Sequence, residues 1–201
     1  MKRIVTNAPH FELPGMPEPE TTSTSPSDAQ IVRAVLLGDV DVFAHLVDRY
    51  HARCLRVATH LLGDSDDAED AVQEAFVRAY RHLGSYRERD RFGAWLLRIV
   101  VNQCRTRVTR EARYLPFDAE QHDSESATDS TANLGDQRAE LAHALAQLGP
   151  DQREALVLRF AEELSYEEIS SLTGVGISAL KMRVQRACTR MRVLLAEHLH
   201  T

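Results

Sequence analysis

Apolar residues in this chain recur at the three- and four-residue spacing of amphipathic helices, and glycines interrupt the pattern. One stripe consists of Ala68, Val72, Ala75, Phe76, Ala79 and Leu83. Such residues lie on one face of a helix and favour burial against a neighbouring element. Aromatic residues make up only 6% of the chain, and runs of β-branched residues are scarce. The pattern therefore predicts an all-α protein without a large sheet.

The same spacing places the other helices of the first half of the chain. They are predicted from Asp28 to a break at Gly38-Asp39, from about Phe43 to Gly63, and from Phe92 to about Arg110. The stripe that begins at Ala68 is predicted to follow an N-cap at Ser65 or Asp66, and Gly84 ends it. The segment from Ser85 to Arg91 is predicted to be a loop.

The second half of the chain has its own helical pattern. Gly149-Pro150 separates a helix that includes Leu141 to Leu148 from one that runs to about Phe160, because proline suits the first turn of a helix. Ser165 with Glu168 three residues later predicts a capping box at the start of a short helix. Gly174 then makes a turn, and a final helix runs from about Ile177 to Ala196.

Composition divides the chain into four parts. Residues 1–27 are rich in proline, serine and threonine, which predicts a disordered tail. Residues 28–113 and 136–199 are predicted to form two small helical domains. Residues 114–135 lose the helical periodicity and hold several acids among serine, threonine and alanine, which predicts a flexible acidic linker between the domains.

Charge is sorted sharply between Gly63 and Arg113. Acids come first and arginines follow, while the whole chain has a formal net charge of −6. A uniformly acidic protein would repel DNA, so any nucleic-acid binding requires local basic patches. The acidic face is formed by Asp67, Asp70, Gln73 and Glu74. This face suits a basic protein partner, although acids near a helix N-terminus are also simply stabilising.

The helix that begins at Phe92 presents an aromatic ring, an amide and two arginines at helical spacing. These residues are Trp95, Arg98, Asn102 and Arg105, and the preceding loop adds Arg87, Arg89 and Arg91. An aromatic ring can stack on a base, an amide can read an extruded base edge, and arginines can hold the backbone. This combination predicts contact with single-stranded nucleic acid; the alternative is that Trp95 belongs to the core.

Residues 165–190 have the pattern of a helix-turn-helix: a capped helix, a turn at Gly174 and a second helix with a basic exposed face. Ile169, Leu172, Val175, Leu180 and Val184 are the predicted buried positions. The residues predicted to contact a DNA groove are Ser178, Lys181, Met182, Arg183, Gln185 and Arg186. A plain helical hairpin is the alternative.

No residue pattern points to catalysis, a cofactor or a metal site. The three cysteines are far apart, and the nine histidines have no ligand-pair spacing. A metal-dependent enzyme is therefore disfavoured, and the cysteines are expected to be buried thiols in a reducing compartment. No apolar run has the length of a signal peptide or a membrane span, so we expect a cytoplasmic protein without membrane insertion.

Four stretches together resemble the extracytoplasmic-function (ECF) group of sigma factors, the smallest members of the sigma-70 family. They are Asp67 to Phe76, Phe92 to Asn102, Leu148 to Leu156 and Leu164 to Ile169. In order, they resemble the polymerase-binding helix, the promoter-melting helix, the start of the second domain, and the −35-reading helix-turn-helix. The resemblance covers about residues 28–196. It implies that the two domains are sigma region 2, a helical bundle, and sigma region 4.

The resemblance also implies partners and residue roles. Asp67, Asp70, Gln73 and Glu74 would bind the clamp helices of the largest polymerase subunit, and the second domain would meet the flap region. The loop from Arg87 to Arg91 and Asn102 would hold a flipped −10 base, with Trp95 supporting the melted strand. Lys181, Gln185 and Arg186 would contact the −35 element, and the linker would thread the polymerase cleft.

An anti-sigma protein is a further implied partner. Gly176 and Met182 depart from the residues that the family usually has at the start of its recognition helix, so the −35 contacts are less firmly implied than the −10 contacts. A stand-alone helix-turn-helix regulator of duplex DNA is the alternative function. The acidic face separates the two hypotheses, because such a regulator does not require it.

Overall fold

The computed structural model describes residues 25–87, 91–114 and 134–198, and all regular secondary structure within these ranges is helical. The α-helices are α1 (Asp28–Leu36), α2 (Ala44–Leu62), α3 (Ser65–His82), α4 (Phe92–Tyr114), α5 (Leu134–Ala146), α6 (Pro150–Leu156), α7 (Tyr166–Thr173) and α8 (Ile177–His198). Single 3₁₀ turns at Asp41–Phe43 and Leu83–Ser85 precede α2 and follow α3. The all-α prediction is therefore confirmed. We call residues 25–114 the first region and residues 134–198 the second region.

Helix ends in the first region follow local side-chain chemistry. Ser27 and Gln30 form a reciprocal capping box at the start of α1. Gly63 ends α2 in the left-handed conformation with φ of 81°, where glycine carries no Cβ penalty. The prediction of Ser65 or Asp66 as the cap of α3 was wrong: Asp64 is the N-cap, and its carboxylate accepts a hydrogen bond from the Asp67 N–H at 2.9 Å.

The core of the first region lies between α2, α3 and α4. It contains the predicted α3 stripe together with residues of the two neighbouring helices, among them Leu46, Val57, Leu96 and Val100, each 0% exposed. Helix α4 runs four residues past the predicted end near Arg110, to Tyr114. Close packing of small residues on α3 lets the two flanking helices approach, which fixes where α4 presents its polar side chains.

The second region builds its helix-turn-helix as the sequence predicts. Ser165 and Glu168 form the capping box of α7, and Gly174 follows it with φ of 74°. Four of the five predicted core positions, those other than Val175, are buried, and Val175 is half-buried. The π-helical turn at Val157–Ala161 was not predicted. It places Phe160 at the surface, where the side chain is 60% exposed.

The two regions pack directly against each other. Ile169, Leu172 and Leu180 of the second region belong to the same apolar cluster as the core of the first region. Arg153 of α6 joins them by polar contacts, because it donates to the Leu61 carbonyl at the end of α2 at 3.0 Å. The same guanidinium donates to three carbonyls at the end of α5 and beyond it, those of Leu145, Ala146 and Leu148.

Two predictions fall mainly outside the described residues. Residues 1–24 of the predicted tail and residues 115–133 of the predicted linker lie there. The described helices reach slightly into the predicted linker, since α4 ends at Tyr114 and α5 begins at Leu134.

Candidate nucleic-acid and protein interfaces

The predicted acidic face lies along α3, and each of its three acids has an arginine partner. Arg107 of α4 bridges Asp67 at 2.7 Å and Asp70 at 3.3 Å. Glu74 pairs with Arg78 one turn away at 3.0 Å. The hydrogen bond from Arg78 lowers the pKa of Glu74. The surface therefore carries both acids and arginines. Because these ion pairs remain exposed, basic groups of a partner protein can replace the arginines.

Trp95 combines features of the two interpretations that the sequence left open, a core residue and an aromatic ring available to a base. Its ring is half-buried and packs against Tyr86 and Phe92, with centroid separations of 5.1 Å and 5.5 Å. This aromatic cluster fixes the ring at the start of α4. The remaining exposed part of Trp95 lines an open groove. The indole is thus both part of the packing and available at the surface.

The groove beside Trp95 has a volume of about 330 Å³ and is bounded by α3 and α4. Asn102 lies on its wall and is exposed, as predicted, and Ser85 and Arg78 supply further polar groups. Gln103 also lines it, and sequence reasoning missed this residue. Its amide is 6% exposed, and Nε2 makes no hydrogen bond of normal geometry within the described residues, although it lies close enough to Glu74 to lower the pKa of that carboxyl.

Two of the three arginines of the predicted loop lie among the described residues. Arg87 and Arg91 are exposed, and the Arg91 N–H donates to the Tyr86 hydroxyl at 3.2 Å, which ties the end of the loop to the aromatic cluster. Arg89 lies outside the described residues. The groove itself contains an aromatic edge and an amide, a combination suited to an unpaired nucleotide.

The other two arginines of the α4 face contact the second region. Arg98 donates to the Ser171 carbonyl at 3.3 Å. Arg105 forms two hydrogen bonds of 2.6 Å each to the carboxylate of Glu154, and it also donates to the Thr173 carbonyl at 3.2 Å. The pairing with Glu154 raises the pKa of Arg105. Two of the five arginines predicted to hold nucleic acid on the −10 side are thus engaged in contacts within the protein.

Helix α8 presents the predicted groove-reading residues on one exposed face. Ser178, Lys181, Met182, Gln185 and Arg186 are all exposed, whereas Arg183 is half-buried. Arg183 is directed to Asp151 of α6, with an N–O distance of 2.6 Å. This ion pair joins α8 to α6, so Arg183 has a structural role in the packing of the second region.

Tyr166 contacts two cations near the start of α8. The Lys181 ammonium lies 5.7 Å from the centroid of the Tyr166 ring, and the Arg159 guanidinium lies 5.2 Å from the same centroid. Both separations are within the range of cation–π attraction. Tyr166 therefore holds two positive charges beside the exposed face of α8.

Residues 25–87, 91–114 and 134–198 contain no group of three or more histidine, cysteine or acidic side chains placed to hold a metal ion. Burial raises the pKa values of Cys54 and Cys104 to about 12. No helix in these ranges is both long and apolar enough to cross a membrane.

Family models and curated relatives match both regions. The model for sigma-70 region 2 matches residues 46–114, and the model for sigma-70 region 4 matches residues 138–191. The RNA polymerase sigma-H factor of Pseudomonas aeruginosa is 33% identical over 82% of this chain and 91% of its own length. The ECF sigma factor SigM of Mycobacterium tuberculosis is 35% identical over 84% of this chain and 85% of its own length.

Solved structures agree with these matches. The sigma factor RpoE of Bartonella quintana, in complex with the anti-sigma factor NepR, is 26% identical with a TM-score of 0.60, over 77% of this chain and 96% of that one. CnrH, in complex with the cytosolic domain of CnrY, is 25% identical with a TM-score of 0.61, over 83% of this chain and 96% of that one. The chain belongs to the sigma-70 family of RNA polymerase sigma factors, within the ECF group.

Proposed function

We propose that this protein recruits core RNA polymerase to promoters, with α3 binding the polymerase, α4 trapping the melted −10 strand and α8 reading the −35 element. The observation that supports the proposal is that one chain presents two different surfaces whose side chains suit nucleic acid. The groove beside Trp95 and Asn102 suits an extruded base, whereas α8 suits the major groove of a duplex. A duplex-binding regulator requires only the second.

At the −10 element, the groove would accept a base from the non-template strand. Trp95 would offer a stacking edge that Tyr86 and Phe92 hold in place. Asn102 would contact the base edge, while Arg87, Arg89 and Arg91 would neutralise the strand. Unstacking costs about 1.4 kcal/mol per base-pair step, and a stacked base returns about 1–3 kcal/mol. Stacking together with phosphate contacts is therefore sufficient to hold an opened strand.

At the −35 element, α8 would enter the major groove. Lys181 and Arg186 would neutralise phosphates or reach guanine edges, and Gln185 would reach adenine. Ser178 and Met182 complete the exposed surface. Arg183 would act mainly through its pair with Asp151, which sets the orientation of α8 relative to α6. The assignment of Arg183 as a direct DNA contact is thus the least favoured of the set.

On the protein side, Asp67, Asp70, Gln73 and Glu74 would meet basic groups on the clamp helices of the polymerase, and the second region would meet the flap. Residues 28–113 and 136–199 would act as the two domains, with residues 114–135 as the connection between them. The sigma factor RpoE of Bartonella quintana was solved in complex with an anti-sigma factor, and we infer that this chain also has such a partner. It would act in the cytoplasm, by binding alone and without a catalytic step.

Reconstitution with core polymerase and a promoter library tests the proposal. Transcription that starts at discrete sites only when the protein is present is the expected result. Charge reversal by Asp70→Arg should abolish this activity and leave duplex binding intact, while Glu140→Arg, an exposed acid on α5, serves as the matched control. The stand-alone regulator would be established instead if the protein bound duplex DNA without polymerase and transcription were the same with and without the protein.

A further inference from the structure

Three large apolar side chains are exposed together where α1 ends. Leu36, Leu37 and Val40 have exposed fractions of 55%, 83% and 49%. They lie within five residues of one another, around the turn at Gly38. Apolar residues that are exposed singly need no explanation, whereas a cluster of them marks a binding surface. We call Leu36, Leu37 and Val40 the apolar corner.

Two contacts place the apolar corner beside the end of α3. The Leu36 Cδ2 atom would lie 4.0 Å from a Cβ at Gly84, in the 3₁₀ turn that follows α3. The Phe43 N–H donates to the Val40 carbonyl at 3.1 Å, and the Phe43 ring packs edge-on against Tyr80 of α3 with a centroid separation of 5.3 Å. Tyr80 is itself 40% exposed. The apolar surface therefore extends from the end of α1 towards α3.

The chain itself supplies an apolar segment that suits this surface. Phe11 and Leu13 lie among residues 1–24, which precede the described part of the first region. Pro14 directly follows Leu13 and favours extended backbone at that position. Residues two apart in extended backbone point to the same side. Phe11 and Leu13 can therefore meet one surface together.

The point at which this segment joins the fold sets its reach. Arg49 donates to the Pro26 carbonyl at 2.8 Å and Ser27 caps α1, so the chain enters at the amino end of α1. Leu13 precedes Ser25 by twelve residues, which span at most about 40 Å. Helix α1 has nine residues, so its two ends are only about 14 Å apart. The segment therefore reaches the corner easily, and a tether of this kind gives an effective concentration of about a millimolar.

Charge favours the same pairing. Residues 10–20 contain three glutamates and neither lysine nor arginine. Arg33 is exposed one helical turn before Leu37, on the same side of α1. An acidic segment that follows α1 towards the corner passes this cation. Asp39 and Asp41 flank the corner on its other side and disfavour an approach from there.

We propose that residues 1–24 dock on the apolar corner, with Phe11 and Leu13 against Leu37 and Val40 and the glutamates beside Arg33. The segment shields from water an apolar surface that the described helices leave exposed. The inference rests on the corner and on the length and composition of the residues before it. It goes beyond the proposed function and does not depend on binding of polymerase or DNA.

Photo-crosslinking of the full chain tests the contact. Benzoylphenylalanine in place of Phe11 keeps an apolar ring, and irradiation followed by mass spectrometry locates the cross-link. We expect a product of monomer mass that joins position 11 to residues 36–40. Leu37→Gln together with Val40→Gln should lose most of this cross-link, because both substitutions remove apolar surface at exposed positions. Leu141→Gln, at a 45% exposed leucine of α5, is the matched control and should keep it.

A reciprocal measurement keeps the test decisive if circular dichroism shows that the double variant has lost helix content. Benzoylphenylalanine in place of Leu37, an 83% exposed side chain, should cross-link to residues 9–14. Phe11→Ser together with Leu13→Ser should abolish that cross-link, and neither substitution touches the described helices.

Three results would overturn the proposal. The first is a set of cross-links from position 11 scattered over the chain, or a yield that the folded Leu37 and Val40 variant leaves unchanged. The second is a cross-link between two chains, detected by mixing ¹⁵N-labelled with unlabelled protein, which would make the corner a contact between copies. The third is the absence of an intramolecular cross-link combined with weaker capture of core polymerase by the folded double variant, which would assign the corner to polymerase.

Discussion

The ring of Tyr50 lies so close to Gly93 that a Cβ at Gly93 would stand 2.7 Å from its Cε1 atom. The Tyr50 hydroxyl donates to Asp28 at 2.5 Å, and the ring packs against Phe92 with a centroid separation of 5.6 Å. These contacts hold the ring at both ends. The first turn of α4, which carries Trp95, is thereby seated against α2 through a glycine.

Gly93→Ala is expected to destabilise the protein, because the new methyl group must displace a ring that is already fixed. Overpacking of this kind typically costs about 1–3 kcal/mol. Gly176→Ala is the control, since a Cβ there meets nothing within 4 Å. Urea denaturation of both variants measures the free energy of unfolding. Equal values for the two would show that Tyr50 moves aside freely.

The cysteines should differ sharply in reactivity. Burial raises the pKa values of Cys54 and Cys104 to about 12, while Cys188 is half-buried. Only the thiolate reacts, so at pH 8 the two buried thiols should react on the order of a thousand times more slowly than an ordinary one. Alkylation followed by mass spectrometry of the native protein should give one modified site, at Cys188. Modification of all three at one rate would contradict the burial of α2 against α4.

His60 should make stability depend on pH in the acidic range. Burial lowers its pKa from the ordinary value of 6.5, and Arg56 lowers it further. The unfolded chain then binds a proton that the folded chain does not, so this contribution to stability is complete above about pH 6.5 and declines as the pH falls below it. His60→Gln should remove that part of the decline, measured by urea denaturation from pH 7.5 to 5.5.

His45→Gln is the control for that measurement, because His45 is an exposed residue of the same helix. This variant should keep the wild-type decline. A decline that persists unchanged in the His60 variant would place its cause in other groups.

Arg186 and Arg183 should differ in their effect on −35 binding. Arg186→Ala should weaken duplex binding and lower the salt slope, the dependence of log K on log salt, by about one unit, because one phosphate contact is lost. Arg183→Ala should leave the slope nearly unchanged and lower stability instead, since Arg183 pairs with Asp151 at 2.6 Å. Titration at several salt concentrations distinguishes them. A slope change of one unit in the Arg183 variant would make it a direct contact.

Asn102→Ala should relax the preference at one position of the −10 element without loss of polymerase binding. The side chain is exposed on the groove wall, so its removal should leave the packing of α4 intact. Transcription from a library randomised in the −10 element measures the preference, and a pull-down of core polymerase measures binding. Reduced polymerase binding would show that Asn102 supports the fold of α3 and α4 instead.

Local chemistry made most helix ends predictable from the sequence. The capping box of Ser165 and Glu168 and the glycines at Gly63 and Gly174 act within one turn of chain, so their residue types suffice. The cap of α3 was misplaced because several adjacent residues can all serve as caps. Asp64 takes the role because it directly follows the left-handed Gly63 and has extended backbone angles.

The contacts between the regions could not be predicted in the same way. Arg105 and Glu154 are 49 residues apart, and Arg53 and Glu162 are 109 apart. No local pattern distinguishes an arginine destined for a buried acid from one destined for DNA. The sequence therefore predicted the polar face of α4 as one set, whereas the packing of α6 and α7 divides it and gives Arg98 and Arg105 partners in the second region.

Arg153 links the stability of the first region to that of the second region. Its single guanidinium serves the carboxyl ends of α2 and α5, which belong to different regions, and burial lowers its pKa. If the end of either helix unwinds, the Arg153 guanidinium is left with too few hydrogen-bond acceptors. The end of the other helix is then destabilised as well. The chain is laid out as two sigma regions, yet we expect the Arg153 cap that they share to couple their unfolding.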